Sequence, residues 1–74
     1  MKTDSVTLEL TRSQALVLFD WLSRNDESLP VSDPSEEKVL WLLEGQLEKI
    51  LAEPLEPDYR QALARARNEV NKGR

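Results

Sequence analysis

The chain has 74 residues, of which 39% are hydrophobic and 32% charged, with no cysteine, no histidine and a net charge of −4 at pH 7. Residues 1–74 suit a single small domain, too apolar for a disordered chain and too charged for a membrane protein. Because the commonest metal ligand and all thiol chemistry are missing, we predict no metal and no other cofactor, and the acidity disfavours nucleic acid as a partner.

The first predicted element is a short strand at residues 5–10, where apolar and polar side chains alternate. Its apolar side consists of Val6, Leu8 and Leu10. The chain offers no good second strand, because the rival segment at residues 29–31 is broken by Pro30. We therefore predict that this dimer strand pairs antiparallel with the same segment of a second copy. A two-fold axis at Glu9 would oppose two carboxylates, so registers centred on Thr7 or on Leu8 are favoured.

The next element is a helix predicted over residues 12–24. Thr11 and Gln14 have the spacing of a capping box, with Thr11 as the N-cap. Its apolar positions span an arc of about 200° on the helical wheel: Val17, Trp21, Leu18, Leu22, Ala15 and Phe19. An arc this wide predicts a helix that is central in the fold or shared with a second subunit.

Two more helices complete the prediction. Asp33, Pro34 and Glu36 predict a helix start, and this second helix should cover residues 34–52. Its apolar arc of about 120° contains Val39, Leu40, Leu43, Leu47, Ile50 and Leu51. A third helix at residues 58–70 has a narrow apolar stripe, typical of a helix that lies on a core from outside. The predicted fold is therefore mainly α, a short N-terminal strand followed by three helices, completed by dimerisation.

Two segments of this chain resemble a family of small uncharacterised bacterial proteins. The segments are TLELTRSQALVLFDWLSR and EEKVLWLLEGQLEKIL. The shared features are the short strand, a helix of the form A-L-V-L-F-x-W-L, and a second helix with L-W-x-L followed by L-E-K. The resemblance covers residues 6–67, supports the predicted fold and implies no activity.

No set of residues in the sequence indicates catalysis or a metal site. Ser35 and Lys38 have the i, i+3 spacing of a Ser-Lys pair, but nothing nearby supplies an oxyanion hole, so we predict that the protein is not an enzyme. The acidic runs at residues 33–37 and 26–27 lack calcium-loop spacing. Asp33 and Glu36 are better explained as helix caps.

Charge is distributed unevenly along the chain. Residues 60–74 carry five basic side chains against one acidic one, a net charge of +4, whereas residues 1–59 sum to −8. We expect the basic third helix either to lie beside the acidic second helix or to present a solvated face. The start, MKTDSVTLEL, has no long apolar run and no small-residue cleavage site. We therefore expect no signal peptide, no membrane segment and a bacterial cytoplasmic location.

Trp41 is the most informative residue of the second helix, since it falls on the acidic face rather than the apolar one. Its helical neighbours are Glu37, Glu44, Gly45 and Glu48. The structural interpretation is that Trp41 packs on another helix or along its own. The functional interpretation is an aromatic anchor for a protein partner, ringed by acids, with Gly45 permitting close approach.

Two functions are compatible with these features. The first is a non-enzymatic protein–protein interaction module that forms a homodimer. The second is an immunity or antitoxin protein that neutralises a basic toxin, since opposite charges speed association. The product of the neighbouring gene would discriminate between them.

Overall fold

A computed structural model describes residues 4–73 of the chain, and this part folds into three α-helices. Helix α1 spans Arg12–Asn25, α2 spans Pro34–Ile50 and α3 spans Tyr59–Lys72. A short 3-10 turn, Glu53–Leu55, lies between α2 and α3. The prediction of a mainly helical chain with three helices is confirmed. In this described part no helix combines the length and the apolar character that crossing a bilayer requires.

The first two helices begin at the predicted caps. The Thr11 hydroxyl accepts a hydrogen bond from the Gln14 backbone N–H at 3.1 Å, and the Gln14 side chain accepts one from the Thr11 N–H at 2.9 Å. At α2, Asp33 accepts from the backbone N–H and the hydroxyl of Ser35, at 2.8 and 2.6 Å. These two bonds, the hydroxyl first, lower the pKa of Asp33. Side chains therefore satisfy first-turn N–H groups that a helix leaves unpaired.

The predicted strand at residues 5–10 is wrong for a single chain. The structure has no strand within residues 4–73, and no hydrogen bond joins the backbone of residues 5–10 to another described residue. The physical reason is the lack of a partner edge, since the rival segment turns sharply, with Val31 N–H donating to the Leu29 carbonyl at 2.8 Å. Val6 is 86% exposed instead of half-buried.

Helix α1 is the centre of the fold, as its wide apolar arc predicted, because both α2 and α3 pack against it. The core is a single cluster with members from all three helices and from the residue that follows α2. They are Ala15, Leu16, Phe19, Leu22, Leu47, Leu51, Leu63 and Ala66. Leu22 alone is completely buried among the large side chains.

The buried arcs of α1 and α2 differ from the predicted ones in position. On α1, Leu16 and Asp20 are buried although they lie outside the predicted arc, and Trp21 within it is exposed. Helix α3 accounts for this shift, because it covers the Leu16 side of α1. On α2, Val39 and Ile50 belong to the predicted arc but are exposed, because no described segment covers that side.

Helix α3 packs on α1 and on the 3-10 turn rather than mainly on α2. Its Arg60, Arg65 and Arg67 are exposed, which agrees with the second of the two expected roles, a solvated face. Two ion pairs accompany this arrangement. Arg67 Nη2 of α3 donates to Asp20 Oδ2 of α1 at 3.2 Å. Arg12, at the start of α1, binds both carboxylate oxygens of Glu53 in the 3-10 turn, at 2.5 and 2.9 Å. The Arg12 contact lowers the pKa of Glu53.

Candidate functional site

An open apolar groove lies between the N-terminal segment and the helices α1 and α2. Its volume is about 540 Å³. Its walls are formed by Val6, Leu8, Leu10, Arg12, Ala15, Leu18, Leu43, Gln46, Leu47, Ile50 and Leu51. The even-numbered apolar residues of the N-terminal segment line the groove, whereas Ser5, Thr7 and Glu9 do not. The alternation seen in the sequence therefore corresponds to a real difference between two sides of this segment.

The apolar surface continues along α2 beyond the groove. Val39, Leu42 and Ile50 are between 62% and 67% exposed. Ile50 itself lines the groove, and at 100° per residue Val39 and Leu42 share its face of the helix together with Leu43 and Gln46. We call the combined surface of Val6, Leu8, Leu10, Val39, Leu42 and Ile50 the open apolar face. Contiguous apolar surface of this kind marks interaction sites in small proteins.

Trp41 lies on the opposite flank of α2 and contacts the loop that follows α1. Its indole Nε1 donates a hydrogen bond to the Asp26 backbone carbonyl at 3.1 Å. The residue is still 46% exposed, so the ring is anchored at its polar edge while part of its surface faces solvent. The structural interpretation expected Trp41 to pack on another helix or along its own, and the observed partner is the loop that follows α1. The role as a partner anchor stays a prediction.

The acidic residues around Trp41 differ in their surroundings. Glu37 and Glu44 are partly buried and Glu48 is exposed. Burial raises the pKa of Glu44, and the charges of Asp26 and Glu48 raise it further. No lysine or arginine nitrogen in residues 4–73 forms an ion pair with these carboxylates. The predicted partner-binding residues therefore form an acidic surface without a described counter-charge.

Gly45 is the remaining residue of the predicted partner surface. A Cβ atom built at this position meets no atom within 4 Å apart from its chain neighbours and the nearby backbone of its own helix. We therefore expect Gly45→Ala to raise the free energy of unfolding by about 0.5–1 kcal/mol, because alanine favours the helix and creates no clash. Thermal unfolding measures this gain, and an unchanged or lower melting temperature would contradict it. Reduced partner binding with raised stability would identify Gly45 as a contact residue.

Replacing Trp41 with alanine separates its two interpretations. Because the ring is only half-buried and makes one hydrogen bond, we expect Trp41→Ala to lower the free energy of unfolding by about 1–2 kcal/mol. That is less than the ~3–5 kcal/mol typical of a fully buried aromatic residue. Trp41→Phe, which keeps an aromatic ring but loses the donor, serves as the matched variant. If Trp41→Ala instead lowered the free energy of unfolding by ~3–5 kcal/mol, the ring would be part of the core and would have little role in binding a partner.

Asp20 is a charged residue that the sequence prediction missed, and it is 9% exposed. Its carboxylate accepts hydrogen bonds from Arg24 Nε at 2.7 Å, from the Tyr59 hydroxyl at 3.1 Å and from Arg67 Nη2 at 3.2 Å. Arg24 lies one turn later on α1, a spacing that is visible in the sequence. Tyr59 and Arg67 come from α3. The cluster therefore fixes how α3 lies on α1, and nothing in its geometry requires a ligand.

The phenol of Tyr59 reports on this cluster. Burial raises its pKa to about 12, and the hydrogen bond to Asp20 adds to the shift. An unfolded tyrosine ionises near pH 10, so the folded state holds this proton more tightly. The resulting stability is fully present below about pH 10 and is lost as the pH rises toward 12. Because Tyr59 is the only tyrosine, its ultraviolet titration is free of overlap from other phenols. We expect a midpoint well above 10 in the folded protein, and a midpoint near 10 would contradict the contact with Asp20.

The residues considered for catalysis and metal binding do not form a site in the described structure. The Ser35 hydroxyl donates to Asp33 as part of the α2 cap, so it is engaged with a carboxylate rather than with Lys38. Within residues 4–73 no three acidic side chains are arranged to hold a metal ion.

Comparison with protein-family models, with curated proteins and with solved structures found no match to this chain. The resemblance to a family of small uncharacterised bacterial proteins therefore stays a prediction. The candidate function rests on the two surfaces described above, the open apolar face and the acidic surface around Trp41.

Proposed function

We propose that this protein is a non-enzymatic protein–protein interaction module that forms a homodimer through the open apolar face. The observation that carries the proposal is the groove with its continuation along α2. Six large apolar side chains are exposed there, and the backbone of the adjoining segment makes no hydrogen bond to the rest of the described chain. The exposed apolar surface incurs a free-energy cost in water that association removes. The backbone of the adjoining segment, solvated in a single chain, is free to exchange its water hydrogen bonds for bonds to a second chain.

The size of the open apolar face fits a dimer interface. Its six side chains expose on the order of 400 Å² of apolar surface, taking roughly 100 Å² for a fully exposed aliphatic side chain. A stable interface buries roughly 800 Å² per partner, of which somewhat more than half is apolar. The open apolar face is therefore about as large as the apolar part of a standard interface.

Charge substitution in the open apolar face tests this proposal. We expect Ile50→Glu and Leu42→Glu to weaken self-association at least about tenfold, because burial of an unpaired carboxylate costs several kcal/mol. Sedimentation velocity over a concentration series measures the change. Because both side chains are already exposed, the monomer should keep its helical circular dichroism.

Leu55→Glu is the matched control for these variants. Leu55 is 91% exposed, lies in the 3-10 turn and does not line the groove. We expect the Leu55→Glu variant to self-associate as strongly as the unaltered protein. Equal association in all three variants would contradict a dimer built on the open apolar face.

A second candidate function is an immunity or antitoxin protein that binds a basic toxin. The observation that favours it is the group of Asp26, Glu44 and Glu48, three carboxylates that form no ion pair within residues 4–73. The indole of Trp41 donates to the backbone carbonyl of Asp26, so the ring lies beside this group. Opposite charges would speed association with a basic partner, and an arginine or lysine could stack on the indole ring. Under either function we place the protein in the bacterial cytoplasm.

The second function is tested with the product of the neighbouring gene, if that protein is basic. Calorimetry should then show binding that weakens with salt and that is lost on combining Glu44→Gln with Glu48→Gln. Ile50→Glu should leave this binding intact, because it alters the other flank of α2. Binding that resists both salt and the glutamine substitutions would exclude the acidic surface as its site.

A further inference from the structure

The hydrogen-bonding groups of residues 5–10 indicate how two copies meet. We propose that residues 6–10 of two copies pair as an antiparallel two-stranded ribbon, with the two-fold axis between the two Leu8 residues. The ribbon would cover the grooves of both copies. This inference rests on the proposed homodimer and adds the register of its contact. A second copy is the occupant that fits best, because the same unpaired backbone and the same apolar side chains recur in it.

The limits of the ribbon follow from the cap of α1. The Thr11 N–H donates to the Gln14 side chain, and the Thr11 carbonyl accepts from the Ala15 N–H at 2.9 Å. Thr11 therefore has no backbone donor left for a partner strand, and the ladder must end at Leu10. Before it, the backbone of residues 5–10 makes no hydrogen bond to another described residue. A ladder that ends at Leu10 and is centred on Leu8 starts at Val6.

The groove selects between the two registers that the sequence left open. With the axis at Leu8, the side facing the groove carries the pairs Val6–Leu10 and Leu8–Leu8, all apolar. With the axis at Thr7, Leu10 would lie opposite Asp4 of the second copy. Alternation places Asp4 on the same side as Val6, so its carboxylate would face the apolar groove without a partner. The register centred on Leu8 avoids this cost.

The outer side of the ribbon is compatible with the same register. An axis at Leu8 sets Thr7 opposite Glu9 of the second copy, and these residues point away from the groove into solvent. A hydroxyl opposite a carboxylate carries no like-charge repulsion. The two Glu9 side chains lie at opposite ends of the ladder, so they do not meet.

Single cysteines test the register directly, because the natural chain contains none. In the proposed ribbon only residue 8 faces its own copy, so Leu8→Cys should form a disulfide dimer under oxidised glutathione. Thr7→Cys and Glu9→Cys should stay largely as thiols, because their Cα atoms would be roughly 7 Å or more from their own copies, near or beyond the reach of a disulfide. Non-reducing electrophoresis gives the fraction cross-linked.

A mixed pair covers the case in which Leu8→Cys weakens the dimer. Val6→Cys mixed with Leu10→Cys should give a heterodisulfide, and Val6→Cys mixed with Leu8→Cys should not. A heterodisulfide between Val6→Cys and Leu8→Cys but none between Val6→Cys and Leu10→Cys, together with cross-linking of Thr7→Cys, would show that the axis lies at Thr7 and would overturn the proposed register. A dimeric mass with no cross-link at any of these positions would refute the ribbon and leave the proposed interaction module standing. A monomeric mass would refute both.

Discussion

Asp20→Ala should lower the free energy of unfolding by about 2–3 kcal/mol, a large change for an acidic residue. The side chain is 12% exposed, and its carboxylate accepts three hydrogen bonds, from Arg24, Tyr59 and Arg67. Hydrogen bonds to a charged group are worth about 1.5–3 kcal/mol each when buried, but both arginines are about half exposed, which reduces their share. Removal of Asp20 also leaves the Tyr59 hydroxyl without its partner.

Chemical denaturation of two control variants identifies the source of this loss. Arg24→Ala removes only the exposed partner on the same helix, and it should cost no more than about 0.5 kcal/mol. Tyr59→Phe removes only the hydroxyl and should cost about 1 kcal/mol. If Asp20→Ala were as mild as Arg24→Ala, the cluster would not be what holds α3 on α1.

Leu22→Ala should have the largest effect of any single truncation, about 3–5 kcal/mol. Leu22 is 0% exposed and lies at the centre of the core. Its truncation loses the transfer free energy of the side chain and leaves a cavity that the surrounding helices fill only in part. A domain of this length has a total stability of roughly 4–11 kcal/mol, so the variant should be close to unfolding at 37 °C.

Thermal unfolding followed by circular dichroism measures the Leu22→Ala effect, with Leu55→Ala as the control. Leu55 is almost fully exposed, and its truncation should change stability by less than about 0.5 kcal/mol. A similar melting temperature for the two variants would contradict a core in which Leu22 is buried between the three helices.

The features that sequence reasoning predicted are those set by neighbouring residues. The caps at Thr11 and Asp33 depend on side chains within three positions, and both are present in the structure. The apolar alternation of Val6, Leu8 and Leu10 is also local, and these residues do line one groove. Pairing of that segment as a strand needs a second edge, which residues 4–73 of a single chain do not provide.

The features that sequence reasoning missed depend on contacts between distant positions. Asp20 is held by Tyr59 and Arg67, which lie 39 and 47 residues further along the chain. Only its i, i+4 pair with Arg24 was visible in the sequence, and such pairs are common on solvated helices. The burial of Leu16 likewise follows from where α3 packs, which the periodicity of α1 alone does not specify.

The candidate site was predicted in part. The sequence identified the apolar residues of the N-terminal segment, but it placed Val39 and Ile50 in the core, where the structure exposes them. Periodicity gives the direction of an apolar side chain around its helix, not whether another segment of the same chain covers it. The open apolar face therefore became visible only in the three-dimensional arrangement.

The mass of the unaltered protein in solution tests self-association most directly. Light scattering coupled to size exclusion, at micromolar concentration and physiological salt, should give a mass near twice the chain mass of 8.5 kDa. Dilution should shift this mass toward the single-chain value. A mass of one chain throughout the micromolar range would contradict the homodimer. The open apolar face would then be a binding surface for a different protein.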